Sequence, residues 1–376
     1  MNQRERFLKT VQHEEPDRLL YYVQGFIGNS FNEWIEKIEP DIPDDQVVID
    51  SMFGDRTVRN WIGDDFVEFA VTAPNGYPNV SLEEKPGCSV SPFGSITFNG
   101  KTYAGKPYSW YVGPMFDTLE KRSAFYEAHG EPWDEHFYPP DELFVYYHKK
   151  LEYLEHQDYP WMPITRGGSI WEYLFEGLGP KQLSYLSRKD PAALHRIVNE
   201  ITAPVKYCTK RMLEEGALVV GLADDMGQKD RPLVSPKMFE EFVVPAYREL
   251  IGLAHKHGAY FWLHSCGNIT ELLPLLVDCG LDVWQTLEPA SGVNLAEVKE
   301  KYGDRITFAG AIDYSRTVTF GTPDEIDAHV RKVLKAGMPG GGYIAGPSHD
   351  IMDVPLANVI QARDLVKKLG VYPCTL

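Results

Sequence analysis

The chain is expected to fold as an α/β protein, a (β/α)8 barrel with an irregular, aromatic-rich insertion in its N-terminal third. Three observations predict this. From about residue 141 onward, short apolar runs alternate with segments of helical spacing, the pattern of parallel strands joined by helical crossovers. Successive apolar runs end in titratable or ligating residues, as in a barrel whose chemistry collects where its strands end. No G-x-G-x-x-G follows an early strand, so an open dinucleotide-binding sheet has no support.

Taken in order, "LLYYVQG" (19–25) reads as the first strand. The stretch from about 75 to 141 is rich in Gly, Pro and aromatics, and turns punctuate it; it is expected to decorate a single domain running from 1 to 376. A helix is expected over "DELFVYYHKKLEYLEH" (141–156), with Asp141 at its start, and "WMPIT" (161–165) follows as a strand. "DPAALHRIVNEITAPVKYCTKRMLEEG" (190–216) reads as one or two helices ending at a Gly. The strands "ALVVGLAD" (217–224), "AYFWLH" (259–264), "LDVWQTL" (281–287), "ITFAGAID" (306–313) and "GYIAGP" (342–347) then alternate with helical segments, among them "SPKMFEEFVVPAYRELIGLAHKHG" (235–258) with its Ser-Pro start. These make seven candidate strands.

Composition excludes several classes of function. The chain has 376 residues, 43% of them hydrophobic and 24% charged, which suits a globular protein with a sizeable core. A formal charge of −17 would repel nucleic acid and anionic membranes alike, so neither is expected as a partner. No apolar run reaches the roughly 20 residues of a membrane span, and the charged opening "MNQRERFLKTVQHEEPDR" lacks the apolar stretch of a signal peptide. A cytoplasmic location is expected. The 5 cysteines are scattered, which indicates reduced thiols rather than a disulfide framework.

Five consecutive strands deliver polar groups to one end. They run into Asp224, Asp225 and Gln228; His264, Cys266 and Asn268; Glu288; Asp313; and Ser348, His349 and Asp350. Alternate residues of an extended chain share a face, so His264 and Cys266 are expected side by side, with Trp262 below them and Gly267 turning the backbone away. Imidazole nitrogen and thiolate are both good zinc ligands. A third is needed, and His349 is the best candidate, ahead of Glu288 and Cys279. An isolated H-x-C also suits an ordinary hydrogen-bonded histidine beside an inert buried thiol. Asp224, Asp225 and Asp313 suit either helix capping or substrate and proton handling.

The segments "RERFLKTVQHEEPDR" (4–18), "DDMGQKDRPLVSPKMFEEFVVPAYRELI" (224–251), "HGAYFWLHSCGNI" (257–269), "YGDRITFAGAID" (302–313) and "GGGYIAGPSHDIMDVPLANV" (340–359) resemble the uroporphyrinogen decarboxylase superfamily, which includes corrinoid-linked methyltransferases. The resemblance covers nearly the whole chain and implies a (β/α)8 barrel. In the methyltransferase branch the H-x-C pair binds zinc, which carries over to His264 and Cys266. The branch's third ligand is a cysteine in the last glycine-rich loop, where this chain has His349. The decarboxylases also carry a histidine near that position, but their arginine-rich N-terminal segment is missing: "LLYYVQGFIGNSFNEW" (19–34) holds no arginine.

The resemblance therefore implies a zinc methyltransferase that moves a methyl group between a small methylated substrate or thiol and a corrinoid. The corrinoid signature D-x-H-x-x-G is absent, since "DEHFYP" (134–139) and "DAHVRK" (327–332) lack the Gly, so a separate corrinoid protein is the implied partner. The expected metal ligands are His264, Cys266 and His349. Asp225, Asp313 and Glu288 are the expected catalytic acids, and Asp224, Gln228, Asn268, Arg166 and Trp262 the expected substrate contacts. "SWYVGPMF" (109–116) could line a pocket for an aromatic or quaternary-ammonium methyl donor, or simply pack the insertion. Two alternatives stand: a cofactor-free decarboxylase, and a non-catalytic barrel that binds a tetrapyrrole or small ligand. The oligomeric state is open, with a homodimer compatible.

Overall fold

The structure, a computed structural model, describes residues 1–27, 62–101, 107–156, 162–166, 168–352 and 354–376. A helix over Gln3–Val11 opens the chain, held by a reciprocal cap between Asn2 and Glu5. The short strand β1 (Phe26–Ile27) and the strand β2 (Phe66–Ala70) follow. Four antiparallel strands come next: β3 (Val80–Ser81), β4 (Cys88–Val90), β5 (Ser95–Lys101) and β6 (Pro107–Pro114). Then come β7 (Met162–Arg166), β8 (Val219–Ala223), β9 (Tyr260–His264), β10 (Val283–Leu287), β11 (Thr307–Ile312), β12 (Tyr343–Pro347) and the two-residue β13 (Ile351–Met352), which pairs with β1.

Seven of these strands form one parallel sheet in the order β12-β11-β10-β9-β8-β7-β2. The N-terminal segment joins its two edges. Tyr22 N–H donates to Ala345 O at 2.9 Å, Ala345 N–H to Leu20 O at 2.9 Å, and Asp65 N–H to Tyr21 O at 2.8 Å. Residues 19–23 thus act as the remaining stave of a (β/α)8 barrel, leaving neither edge of the sheet open.

The barrel is filled by alternate strand residues, as the two-residue period requires. Leu20, Tyr22, Phe66, Val219, Trp262, Val283, Ala309 and Ile344 form one buried cluster, and Phe7 and Val11 of the first helix close it at the end where the strands begin. The helices wrap the outside. The helix Pro191–Glu214 starts on an Asp190 cap with Pro191 in its first turn, and Pro323–Gly337 starts on a Thr322–Glu325 capping box. Among the described residues no helix is long and apolar enough to cross a membrane.

Several elements lie outside the sequence reading, among them the helices Gln3–Val11 and Leu119–His129. The strand β2 is short and was not singled out, and the helix Trp171–Lys189 is broken by Gly179, at φ 72° and ψ 163°, just before Pro180. The antiparallel sheet rests on that helix. Phe93 stacks on Tyr173 with ring centroids 4.5 Å apart, and Phe116 N–H donates to Gly177 O at 2.9 Å. A Cβ at Gly177 would lie 2.0 Å from Phe93 O, so only glycine permits this approach.

Candidate metal centre

Register places the key side chains. Ala223, His264 and Gln285 are lateral partners on β8, β9 and β10, so the residues just beyond Ala223 and His264 emerge together at the C-terminal mouth. The turns after β8 and β9 then pack backbone to backbone. Gly227 N–H donates to Cys266 O at 3.1 Å and Asn268 N–H to Gln228 O at 2.8 Å. Gly267 sits at φ +76°, and a Cβ there would meet Gly227 C at 2.4 Å. Glycine at both positions is what brings Asp225 against Cys266.

The result is a three-donor group. One nitrogen, sulfur or oxygen atom from each of His264, Cys266 and Asp225 lies within 4.8 Å of the other two. His264 Nε2 is 3.3 Å from Asp225 Oδ1 and 3.5 Å from Cys266 Sγ, and Cys266 N–H donates to Asp225 Oδ1 at 2.8 Å. His264 is only 5% exposed. Burial raises the Asp225 carboxyl, but hydrogen bonds and charge from His264 and the Cys266 amide outweigh it and hold the group below its usual range. The Cys266 thiol is pushed far up, first by burial and then by Asp225, Glu288 and Asp350. It therefore keeps its proton unless a cation enters the site.

This donor set fits zinc. Imidazole, thiolate and carboxylate are its ordinary ligands, and three of them leave a further position open. A bound cation would also offset the acidic surroundings that keep Cys266 protonated.

The structure separates several of the other expected site residues from this group. The side chain of His349 points elsewhere: its Nε2 is 2.6 Å from Ser315 Oγ and its Nδ1 2.5 Å from Asp350 O, so the third donor near His264 and Cys266 is Asp225. Asp313 opens a helical turn, accepting from the amides of Arg316 and Thr317 and from the Thr317 hydroxyl. Asp224, 0% exposed, accepts from the amides of Trp171 and Glu172 and from Tyr247 Oη at 2.6 Å. It anchors a helix rather than facing the mouth, and burial raises its carboxyl to about 6.

Asn268 is spent on Ser291 O and on Thr270, which stiffens the turn after β9. Trp262, 0% exposed, belongs to the barrel filling, with its ring 5.2 Å from Tyr22, because it lies one strand period below His264. Cys279 follows the short helix Leu273–Asp278 and is not part of the three-donor group. Gln228 is placed only by its backbone, in the bridge to Asn268. Glu288 does stand at the mouth, where it accepts from Gly267 N–H and Ser291 Oγ and bears on Cys266. Arg166 ends β7, and its side chain lies outside the described residues.

Two acids escaped the sequence reading. Glu172 and Glu176 lie one turn apart at the start of the helix Trp171–Lys189. Burial, and then Asp225, Asp224 and Glu176, raise Glu172 to about 8. Glu176 is raised by burial and neighbours Ser95 and Tyr111, so the antiparallel sheet reaches the mouth. The available signal was the i, i+4 pair of acids in "WEYLFEGL" (171–178), directly after a strand. Trp110, Tyr111 and Val112 of "SWYVGPMF" are exposed, whereas Phe116 is buried.

Residues 169–369 match the family described as Uroporphyrinogen decarboxylase (URO-D). The methylated-thiol–coenzyme M methyltransferase of Methanosarcina mazei is 24% identical over 221 residues, 56% of each chain. The methylcobamide:CoM methyltransferase of Methanosarcina barkeri is 29% identical over 157 residues, 41% of this chain and 43% of that one. A uroporphyrinogen decarboxylase of Actinobacillus succinogenes is 27% identical over 214 residues, 52% of this chain and 55% of its own length. The chain thus spans about half the length of the curated relatives it matches. Among solved structures, a methyltransferase from Methanosarcina mazei aligns over 98% of this chain and 99% of its own, with a TM-score of 0.65 and 19% identity, which supports the barrel fold.

Proposed function

The chain belongs to the uroporphyrinogen decarboxylase family, and within it we propose a zinc-dependent methyltransferase that moves a methyl group between a small methylated substrate or thiol and a corrinoid carried by another protein. The observation that carries this reading is the convergence of His264 Nε2, Cys266 Sγ and an Asp225 oxygen at the barrel mouth. Those three side chains would hold the metal. Zinc held there supplies Lewis acidity toward a heteroatom of the substrate, lowering the pKa of a thiol or improving a leaving group. Glu172, neutral near pH 7 because its carboxyl lies at about 8, is placed to hold a proton beside Asp225. Glu288 fixes the loop after β9 through Gly267 N–H and Ser291 Oγ, keeping Cys266 in position.

Relatives named uroporphyrinogen decarboxylase support the alternative, a cofactor-free decarboxylase. The charges that raise Glu172 and Cys266 are all carboxylates, which suits a polycarboxylate substrate poorly and favours methyl transfer.

The test is metal content of untagged protein purified without added metal, followed by methyl transfer between free methylcobalamin and a small thiol, read from the cobalamin spectrum. Near-stoichiometric zinc, lost in a His264→Ala/Cys266→Ala variant, together with zinc-dependent demethylation of the cobalamin is the expected result. Metal-free protein that decarboxylates uroporphyrinogen would replace this reading with the alternative.

A further inference from the structure

We infer that Gln285 is the residue that positions His264 for metal binding, by fixing which ring nitrogen is free. The inference rests on the metal-site reading above.

His264 stands between two acceptors. On one side Asp225 Oδ1 lies 3.3 Å from Nε2; on the other Gln285 Oε1 lies 2.5 Å from Nδ1. Zinc binding at Nε2 requires that nitrogen to give up the proton it shares with Asp225, leaving a neutral imidazole with one proton, on Nδ1. Left to the charged acceptor alone, the proton would sit on Nε2, and the nitrogen that faces Cys266 and Asp225 would have no lone pair to offer.

Gln285 opposes that preference because its carbonyl oxygen faces Nδ1 and gives the proton a partner there when a metal takes Nε2. Its side chain is 0% exposed, and Nε2 donates to Gln24 Oε1 at 3.0 Å. With the NH2 group committed to Gln24, the carbonyl oxygen faces Nδ1, and the proton belongs there. The geometry is built into the barrel: Gln285 and His264 are lateral partners on β10 and β9, and Ser265 N–H donates to Gln285 O at 2.6 Å. Gln24 arrives from the N-terminal stave across the barrel. A chain of amides therefore runs from that stave to the metal ligand, which is the outer support that metal-binding histidines need for orientation.

The proposal is tested with Gln285→Leu, which removes the acceptor, and Gln285→Glu, which keeps one. Zinc affinity is read by competition with a chromogenic chelator, and the fold of each variant by thermal melting. Gln285→Leu is expected to bind zinc about 10–100-fold more weakly, in the range found when such outer partners are lost. Gln285→Glu should restore binding to near the wild-type value. Long-range 15N NMR of histidine-labelled, zinc-loaded wild type needs no variant, and should show His264 protonated on Nδ1 with the metal on Nε2.

Metal found on Nδ1, or a folded Gln285→Leu protein that binds zinc as tightly as the wild type, would overturn the role of Gln285 while leaving the metal site intact. Wild-type protein that takes up no zinc would overturn both, and that result is distinguishable because it appears before any variant is made.

Discussion

The two sides of the barrel mouth carry the same kinds of residue and use them differently. At the ends of β8 and β9, Asp225, His264 and Cys266 turn toward one another, and the ligand atoms gather within 4.8 Å. At the ends of β11 and β12, Asp313 and His349 are consumed locally: the aspartate caps a helical turn, and the histidine bonds to Ser315 and its own loop backbone. The lesson is that residue type at a strand end is not enough. Two facing glycines, Gly227 and Gly267, let one pair of turns interlock, so side chains that would otherwise cap their own loops meet instead. Even adjacent residues divide this way, with Asp225 in the site and Asp224 buried under a helix.

The comparison can be broken most directly by metal binding. Cys266→Ser or Asp225→Asn should weaken zinc binding by more than the roughly 10–100-fold expected for loss of an outer partner, whereas His349→Asn should leave affinity nearly unchanged, because His349 bonds Ser315 and the Asp350 carbonyl and supports none of the three donors. Chelator competition on the three variants decides it. A loss at His349 equal to that at Asp225 would erase the distinction between the two sides.

A second effect separates Asp224 from its neighbour. Asp224→Ala strands the amides of Trp171 and Glu172 and the Tyr247 hydroxyl, and each buried donor left unpaired costs about 1–3 kcal/mol. Denaturant titration should show about 3 kcal/mol of lost stability. Asp313→Ala is expected to cost about 1 kcal/mol, the usual value of a cap, with zinc content unchanged. Loss of zinc from the Asp313 variant, at retained fold, would move that residue into the site.

The smallest effect depends on pH. Burial and the neighbouring carboxylates hold the folded-state carboxyl of Glu172 near 8, above the ordinary glutamate value of about 4.5, so between these values the native state holds a proton that the unfolded chain has released. That contribution to stability is present at low pH and is lost as pH rises through about 8. Glu172→Gln removes the titration. Its melting temperature should match the wild type near pH 4.5 and exceed it progressively toward pH 8. Parallel melting curves across that range would show that Glu172 ionises normally.

What the sequence alone determined was the barrel and the end at which its chemistry lies. Both are local properties: the switch between strand and helix period is written within each segment, and the last residues of a strand must emerge where the strand ends. His264 and Cys266 were legible for the same reason, since a two-residue spacing on an extended chain fixes a shared face. β2 was not, because its five residues include the charged Glu68 and stand outside the strand–helix alternation that begins near residue 141. The third donor was decided only by the tertiary structure. Asp225 reaches Cys266 from another strand, through register and two glycine turns, and no periodicity within either segment encodes that meeting. Burial decided the remainder: Trp262 and Asp224 became structural, and Glu172 became a neutral acid, because the cost of removing a group from water depends on everything packed around it.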